Sequence, residues 1–208
     1  MKREDPLVYV IDDNASVRRA LERLLKSVGL KVESYASGQE FLSRERSSGP
    51  ACVVLDVRMP GLSGFELQEE LAKSSIRIPI IFLTGHGNVP QSVRAMKAGA
   101  VDFIEKPFED NILLEAIGKA IEQDRLERIK EDEVGEIREK MKTLTSREYE
   151  VLTHVIQGKL NKQIAFDLGT VEKTIKVHRG QVMRKMQADS VAALVRMAEK
   201  VGLGENRE

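Results

Sequence analysis

The segment LVYVIDD, residues 7–13, places a short apolar run directly before two carboxylates. The same arrangement recurs along the chain, where apolar runs end at or just before Asp56, Thr84 and Lys106. Unbroken apolar runs of this length are typical of strands that are buried on both faces of a parallel sheet. Because the carboxyl ends of such strands meet at one edge, the pattern predicts that these polar residues converge with the two aspartates of the first segment.

Amphipathic stretches of helical length separate the apolar runs. Residues 14–28, for example, carry apolar side chains at three- and four-residue spacings, with charged side chains on the other face. The pattern is five repeats of a strand followed by a helix. Because crossovers between parallel strands are right-handed, it predicts a doubly wound α/β domain with a five-stranded parallel sheet in the order 2-1-3-4-5. In this order ligands bind beside strands 1 and 3, where Asp12, Asp13 and Asp56 are expected.

Length and composition restrict the class of protein. At 208 residues, with 41% hydrophobic residues, the chain can form two small domains with real cores. Its 33 basic and 33 acidic side chains balance, so the charge of the whole chain indicates neither a nucleic-acid nor a membrane partner. A single cysteine excludes an internal disulfide, and no signal peptide or long apolar span is visible. We therefore expect a cytoplasmic protein with no membrane partner.

Carboxylates gathered in one crevice repel one another, and a hard divalent cation such as Mg²⁺ offsets that repulsion with oxygen ligands. Asp56 is then the candidate nucleophile, because a carboxylate can attack a phosphoryl group to form an aspartyl phosphate. Lys106 would supply a second positive charge, and Thr84 a hydroxyl that bonds a phosphoryl oxygen. Taken singly, each aspartate is more readily explained as a turn or helix cap. The functional hypothesis depends on all of them together.

Four stretches, VIDD, LDVRMPGLSG, LTGHG and DFIEKPF, together resemble a two-component response-regulator receiver domain over about residues 5–119. The resemblance implies that Asp56 is phosphorylated. It also implies that Mg²⁺ is held by Asp12, Asp13, Asp56 and the backbone carbonyl of Arg58.

The same resemblance implies a conformational switch. Thr84 and Lys106 would contact the phosphate. As Thr84 moves toward the phosphate, Phe103 would turn inward. The fourth helix and fifth strand would be remodelled as a result. Four apolar residues of the fourth-helix segment are equally well explained as a dimer surface and as core: Val93, Ala95, Met96 and Ala100.

The segment over residues 120–142 has a different character. It carries six basic and eight acidic side chains and no proline, which predicts a long solvated helix. Its apolar positions form a seam with an interrupted register. A short coiled coil between two subunits and a helical linker between two domains both remain open.

Helical periodicity continues through residues 143–208, which we predict to form a four-helix all-α domain. Thr145 and Glu148 form a capping-box pattern at the start of the first of these helices. Residues 161–168 and 171–186 then predict two helices joined by a short turn. This arrangement is typical of a helix-turn-helix.

Residues 171–186 carry five basic side chains against one acidic residue, Glu172. A basic helix of this kind can lie in the major groove of DNA, although a charge run alone is more often a solvated face. The stretches LTSREYEVL, GKLNKQIA and LGTVEKTIKVHRGQVMRKM resemble the LuxR-type DNA-binding domain over about residues 143–202, and Thr170 is expected to cap the basic helix. The implied DNA contacts are Lys162, Lys173, Thr174, Lys176, Val177, Arg179 and Lys185.

With the two domains in this order, the chain resembles the FixJ/NarL class of transcriptional regulators. They predict a receiver over residues 1–119, a helical linker over 120–142 and a DNA-binding domain over 143–208. A sensor histidine kinase would phosphorylate the receiver, and a phosphorylation-dependent homodimer would bind double-stranded promoter DNA, with RNA polymerase as a further partner.

Two functions from other classes remain open. A magnesium-dependent phosphatase would also form an aspartyl phosphate, but it needs a positioned acid or base near Asp56, and the sequence offers none in an obvious place. We therefore expect no enzyme. Alternatively, the C-terminal helices would bind protein instead of DNA, in which case steep salt-dependent binding to duplex DNA would be missing.

Overall fold

Parallel strands form one sheet in the computed structural model, which describes residues 5–44, 47–74, 77–85 and 89–203. The strands are β1 (Leu7–Ile11), β2 (Lys31–Tyr35), β3 (Ala51–Asp56), β4 (Ile80–Thr84) and β5 (Asp102–Glu105). Their order is β2-β1-β3-β4-β5, and every neighbouring pair is parallel. The predicted fold class and strand order are confirmed.

Each strand is followed by a helix, and polar residues in the connecting loops cap several of these helices. The helices are α1 (Ala15–Ser27), α2 (Gly38–Leu42), α3 (Gly64–Lys73), α4 (Val89–Lys97) and α5 (Asp110–Lys142). The side chains of Asn14, Ser37 and Ser63 accept hydrogen bonds from the first backbone N–H groups of α1, α2 and α3. These caps satisfy donors that a helix leaves without an internal partner.

The sheet has a hydrophobic core on each face. Along β3, Val53 and Leu55 belong to one core, while Cys52 and Val54 belong to the other. Helices cover both faces, so every residue of β3 and β4 is buried. This arrangement explains why the strand sequences are apolar without alternation.

A second unit consists of helices. They are α6 (Ser146–Ile156), α7 (Asn161–Asp167), α8 (Glu172–Met186) and α9 (Val191–Lys200). Their apolar faces pack around Leu152, Ile175, Val182 and Leu194, which are each at most 1% exposed. The short connection between α7 and α8 gives the predicted helix-turn-helix region.

The boundary between the two units falls between Arg128 and Ile129, inside α5. Ala120 is buried in a core of the first unit, whereas Ile137 belongs to the core of the second. The predicted three-part division, with a linker over residues 120–142, stays a prediction. Across the described part of the chain, no helix is both long and apolar enough to cross a membrane.

Candidate functional site

An acidic site lies at the carboxyl ends of the strands. Asp12 follows β1, Asp56 ends β3 and Lys106 follows β5. The Lys106 Nζ lies 2.7 Å from Asp12 Oδ2 and 2.7 Å from Asp56 Oδ1. Asp12 and Asp56 are 2% and 8% exposed. One ammonium group therefore bridges two desolvated carboxylates from distant parts of the sequence.

The loop after β3 holds the Asp56 side chain in place. Its Oδ2 accepts a hydrogen bond of 2.6 Å from the backbone N–H of Arg58. The loop then returns to the strand, because the N–H of Gly64 donates to the carbonyl of Val57. A Cβ at Gly64 would lie 2.4 Å from the Asp56 carbonyl oxygen, so this close approach requires glycine.

Burial and charge act in opposite directions on the ionisable groups of this site. Burial raises the pKa of Asp56, and the hydrogen bond and charge of Lys106 oppose that shift without reversing it. Burial tends to lower the pKa of Lys106, but its hydrogen bonds to Asp12 and Asp56 raise that pKa above its usual value. The nearby Asp12 charge adds to the rise in the Asp56 pKa. A further cation beside the two carboxylates would therefore be stabilised.

The structure brings two of the three predicted carboxylates into this cluster. Asp13 is exposed, and its backbone carbonyl accepts a hydrogen bond from Arg18. In the described ranges, no group of three or more His, Cys, Asp or Glu is arranged to hold a metal ion. Asp12 and Asp56 nevertheless suit a hard divalent cation, because both offer carboxylate oxygens as ligands and both contact the Lys106 Nζ.

Thr84 and Phe103 lie on the neighbouring strands. Thr84 ends β4, is 1% exposed, and its carbonyl accepts a 2.7 Å hydrogen bond from the Lys106 N–H. Phe103 lies in β5 and is half-buried. Its ring centroid is 6.2 Å from that of Phe82, a fully buried core residue. His86, which belongs to the LTGHG stretch, lies outside the described residues.

The helix-turn-helix presents basic side chains on its surface. Lys162 on α7 and Lys173 and Lys176 on α8 are exposed, as is Val177. Thr174 is half-buried. Arg179 and Lys185 are half-buried like Thr174, so all seven predicted DNA contacts are at least partly accessible to a ligand.

The other two predicted contacts have partners within the domain. Arg179 Nη1 donates to Asn161 Oδ1 at 2.8 Å, which links α8 to the first residue of α7. Lys185 Nζ lies 2.6 Å from Glu148 Oε2 and 3.0 Å from the carbonyl oxygen of Thr143. Lys185 must therefore give up an ion pair before it can contact a phosphate.

The start of α8 differs from the expected one. Thr170 was expected to cap this helix, and that prediction is wrong. Val171 is the N-cap residue and makes no side-chain capping bond, whereas the N–H of Thr170 bonds to the Ala165 carbonyl at the end of α7. Thr170 therefore belongs to the turn that closes the preceding helix.

The sequence did not identify two residues that contact and orient the site residues but are not themselves expected to bind a ligand. Arg18 contacts the loop of Asp12 and Asp13, and Glu148 pairs with Lys185. The position of Glu148 in a capping box was visible, but nothing in the sequence identifies its ionic partner 37 residues away.

Comparisons with known proteins match both units. Residues 8–118 match the family described as response regulator receiver domain, and residues 142–198 match the bacterial regulatory proteins of the luxR family. Nodulation protein W of Bradyrhizobium diazoefficiens is 48% identical over 200 residues, which cover 96% of this chain and 88% of the relative. Transcriptional regulatory protein FixJ of Rhizobium meliloti is 44% identical over 200 residues, which cover 96% of this chain and 98% of the relative.

Solved structures agree with these matches. The response regulator StyR is similar with a TM-score of 0.83 and 45% identity, over 95% of this chain and 100% of that one. Full-length FixJ from B. japonicum is similar with a TM-score of 0.57 and 44% identity, over 94% and 97% of the two chains. The likeness extends over both units in each case.

Proposed function

This chain belongs to the two-component transcriptional response regulators that carry a LuxR-type DNA-binding domain, and we propose that phosphorylation of Asp56 controls its binding to promoter DNA. The observation that carries the proposal is the buried cluster in which Lys106 bridges Asp12 and Asp56. A neutral ion pair has one carboxylate per ammonium group. Here two buried carboxylates share one ammonium group, which leaves an excess of negative charge at the strand ends where ligands bind in this fold.

The Asp56 carboxylate is the proposed nucleophile. One of its oxygens forms a bond to phosphorus as the bond between phosphorus and a histidine nitrogen of the sensor kinase breaks, and the imidazole leaves. Lys106 stabilises the charge that develops on the phosphoryl oxygens, and the Thr84 hydroxyl bonds one of them. The 2.6 Å hydrogen bond from the Arg58 N–H orients the carboxylate beforehand.

The proposed cation ligands are Asp12, Asp13, Asp56 and the backbone carbonyl of Arg58. A Mg²⁺ ion held there would neutralise charge on the transferred oxygens. Asp12 and Asp56 are already placed within reach of one cation by their shared contact with Lys106.

We propose that phosphorylation promotes a homodimer. Phe103 can follow Thr84 inward, because its ring is only half-buried against the core. Exposed apolar side chains on the adjacent helix α4, namely Val89, Val93 and Met96, supply a surface for a second copy. A dimer would add the binding free energies of two half-sites on DNA.

Promoter DNA is the proposed ligand of the second unit, with RNA polymerase as a further partner in transcription. Lys162, Lys173 and Lys176 would contact phosphates, and the Val177 side chain would contact a thymine methyl group. Thr174 and Arg179 would lie nearest to the groove beside them, Arg179 after release from Asn161. We further propose that this takes place in the cytoplasm, where promoter DNA is found.

The test is a measurement of oligomeric state and DNA affinity in Mg²⁺, with and without the phosphoryl mimic beryllofluoride. Dimerisation and tighter DNA binding should both depend on the mimic, and the Asp56→Asn variant should show neither. Constitutive dimers with unchanged affinity would contradict the proposal. Acetyl phosphate labelling separates the enzyme alternative, since a regulator takes up one phosphoryl group per chain whereas a phosphatase turns over the ester continuously.

A further inference from the structure

We propose that Arg18 is a positioning residue for the acidic site. Its guanidinium group holds the loop that carries Asp12 and Asp13, and thereby raises the affinity of the site for a divalent cation. The inference rests on the proposed function, because cation binding at this loop matters through the phosphorylation of Asp56.

Arg18 reaches back from α1 to the loop that precedes the helix. Its Nη1 donates to the carbonyl oxygen of Asp12 at 2.6 Å and to that of Asp13 at 3.0 Å. A guanidinium nitrogen of this kind carries two hydrogens, so each carbonyl can receive its own bond. Arg18 is half-buried, which reduces the competition from water for these bonds.

Other contacts restrain the same loop from the side of the Asp12 carboxylate. The N–H of Asn14 donates to Asp12 Oδ1 at 2.8 Å, and Lys106 contacts Asp12 Oδ2. Both carboxylate oxygens of Asp12 are therefore held, and Arg18 holds its carbonyl group. Asp13 is exposed, and the bond from Arg18 to its carbonyl restrains its backbone.

Two effects of Arg18 on cation affinity have opposite signs. Groups that orient metal ligands typically contribute about 10- to 100-fold in metal affinity. The positive charge of the guanidinium group, in contrast, repels a cation. Orientation should prevail, because the charge of Arg18 is directed at two carbonyl dipoles and remains partly solvated, where repulsion is screened. The direction of the change on removal of Arg18 therefore separates the two effects.

The experiment is a calorimetric titration of full-length protein with MgCl₂. Arg18→Ala should raise the dissociation constant about 10-fold, and Arg18→Lys, which keeps the charge and one donor nitrogen, should restore part of the affinity. Arg19→Ala is the matched control, because Arg19 is an exposed arginine of the same helix whose guanidinium group donates a 3.4 Å hydrogen bond to Ser16 Oγ. Its dissociation constant should equal that of the wild type.

Labelling by acetyl phosphate at increasing Mg²⁺ gives a second readout. The Arg18→Ala variant should need more Mg²⁺ for half-maximal labelling and should reach the wild-type rate at saturation. A folding defect would lower the saturating rate instead, because fewer molecules would be competent. If circular dichroism shows that Arg18→Ala is unfolded, Arg18→Met, which keeps the aliphatic stem, replaces it with the same expectation.

An unchanged or tighter Mg²⁺ dissociation constant in the folded Ala or Met variant would overturn the positioning role of Arg18. Failure of the proposed function gives a different result, since wild-type protein would then take up no phosphoryl group on Asp56 at any Mg²⁺ concentration.

Discussion

The acidic site of the first unit and the basic surface of the second use charge in opposite ways. Asp12, Asp56 and Lys106 come from three strand ends, are largely removed from water and contact one another. Lys173 and Lys176 are neighbours on one helix and extend into solvent. Charges that assist a covalent step must be desolvated and fixed, whereas charges that bind a polyanion gain affinity by releasing its counterions and need only be accessible.

The most severe test of the acidic site is Asp56→Asn. The amide is nearly isosteric but is no nucleophile, so we expect complete loss of acetyl phosphate labelling with the fold retained. Mass spectrometry of intact protein measures the label, and circular dichroism checks the fold. Asp13→Asn is the comparison, because Asp13 is exposed and is a proposed cation ligand but not the nucleophile, so this variant should still be labelled, at a higher Mg²⁺ concentration. Normal labelling of Asp56→Asn would remove Asp56 from its assigned role.

The same variant should change the pH dependence of stability. Because burial raises the pKa of Asp56 in the folded protein, its ionised form destabilises the fold, and this penalty grows as the pH rises through the raised pKa. Below the pKa that Asp56 has in the unfolded protein, its carboxyl group is neutral in both the folded and the unfolded state, and the penalty is absent. Asp56→Asn should therefore melt at a higher temperature than the wild type at pH 7, and the difference should shrink toward pH 4.

Lys106→Met should have the next largest effect. It removes the positive charge from two buried carboxylates, and we expect the labelling rate to fall about 100-fold, as for loss of one preorganised donor to a developing charge. Lys97→Met, on the exposed end of α4, should label at the wild-type rate. A Lys106→Met rate within a few-fold of the wild type would show that the bridge serves stability alone.

The pH dependence of stability gives a second test of the Lys106 bridge. The carboxylates raise the pKa of its ammonium group, so its contribution is fully present below the unfolded pKa, about 10.4, and is lost as the pH rises through the higher folded value. The wild type should therefore lose stability in alkaline solution more steeply than Lys106→Met.

The sequence allowed the strands and the convergence at their ends to be predicted, because unbroken apolar runs and right-handed crossovers leave few arrangements. Asp12, Asp56 and Lys106 follow directly from that topology. The orientation of Arg18 and the pairing of Lys185 do not, because a helical pattern gives the face of a side chain but not its partner. On α8, Lys185 directly precedes the buried Met186 and follows the buried Val182 by three positions, so its half-buried placement reflects packing that charge counting ignores.

Lys185→Ala sharpens the comparison within the second unit, because it separates structural from DNA-binding lysines. It leaves Glu148, which is 5% exposed, without its ion pair, and we expect a loss of about 2 kcal/mol in the free energy of unfolding. Urea denaturation measures this loss. Arg184→Ala, which removes an exposed neighbour bonded to Gln181, should cost far less. Equal stability of the two variants would show that the Lys185–Glu148 ion pair does not stabilise the fold, and Lys185 would then be assigned to DNA binding.

Lys176→Ala should give the smallest change in free energy, about 1 kcal/mol of DNA affinity or roughly a five-fold loss, with labelling and stability unchanged. Because one phosphate contact disappears, the slope of log affinity against log salt should fall by about 0.9. Fluorescence anisotropy with a labelled duplex of mixed sequence measures both quantities, and Lys130→Ala on α5 is the control for loss of an exposed lysine. If affinity falls without a change in slope, Lys176 contacts a base edge, and the contrast between a solvated electrostatic surface and a fixed reactive site would no longer hold for this residue.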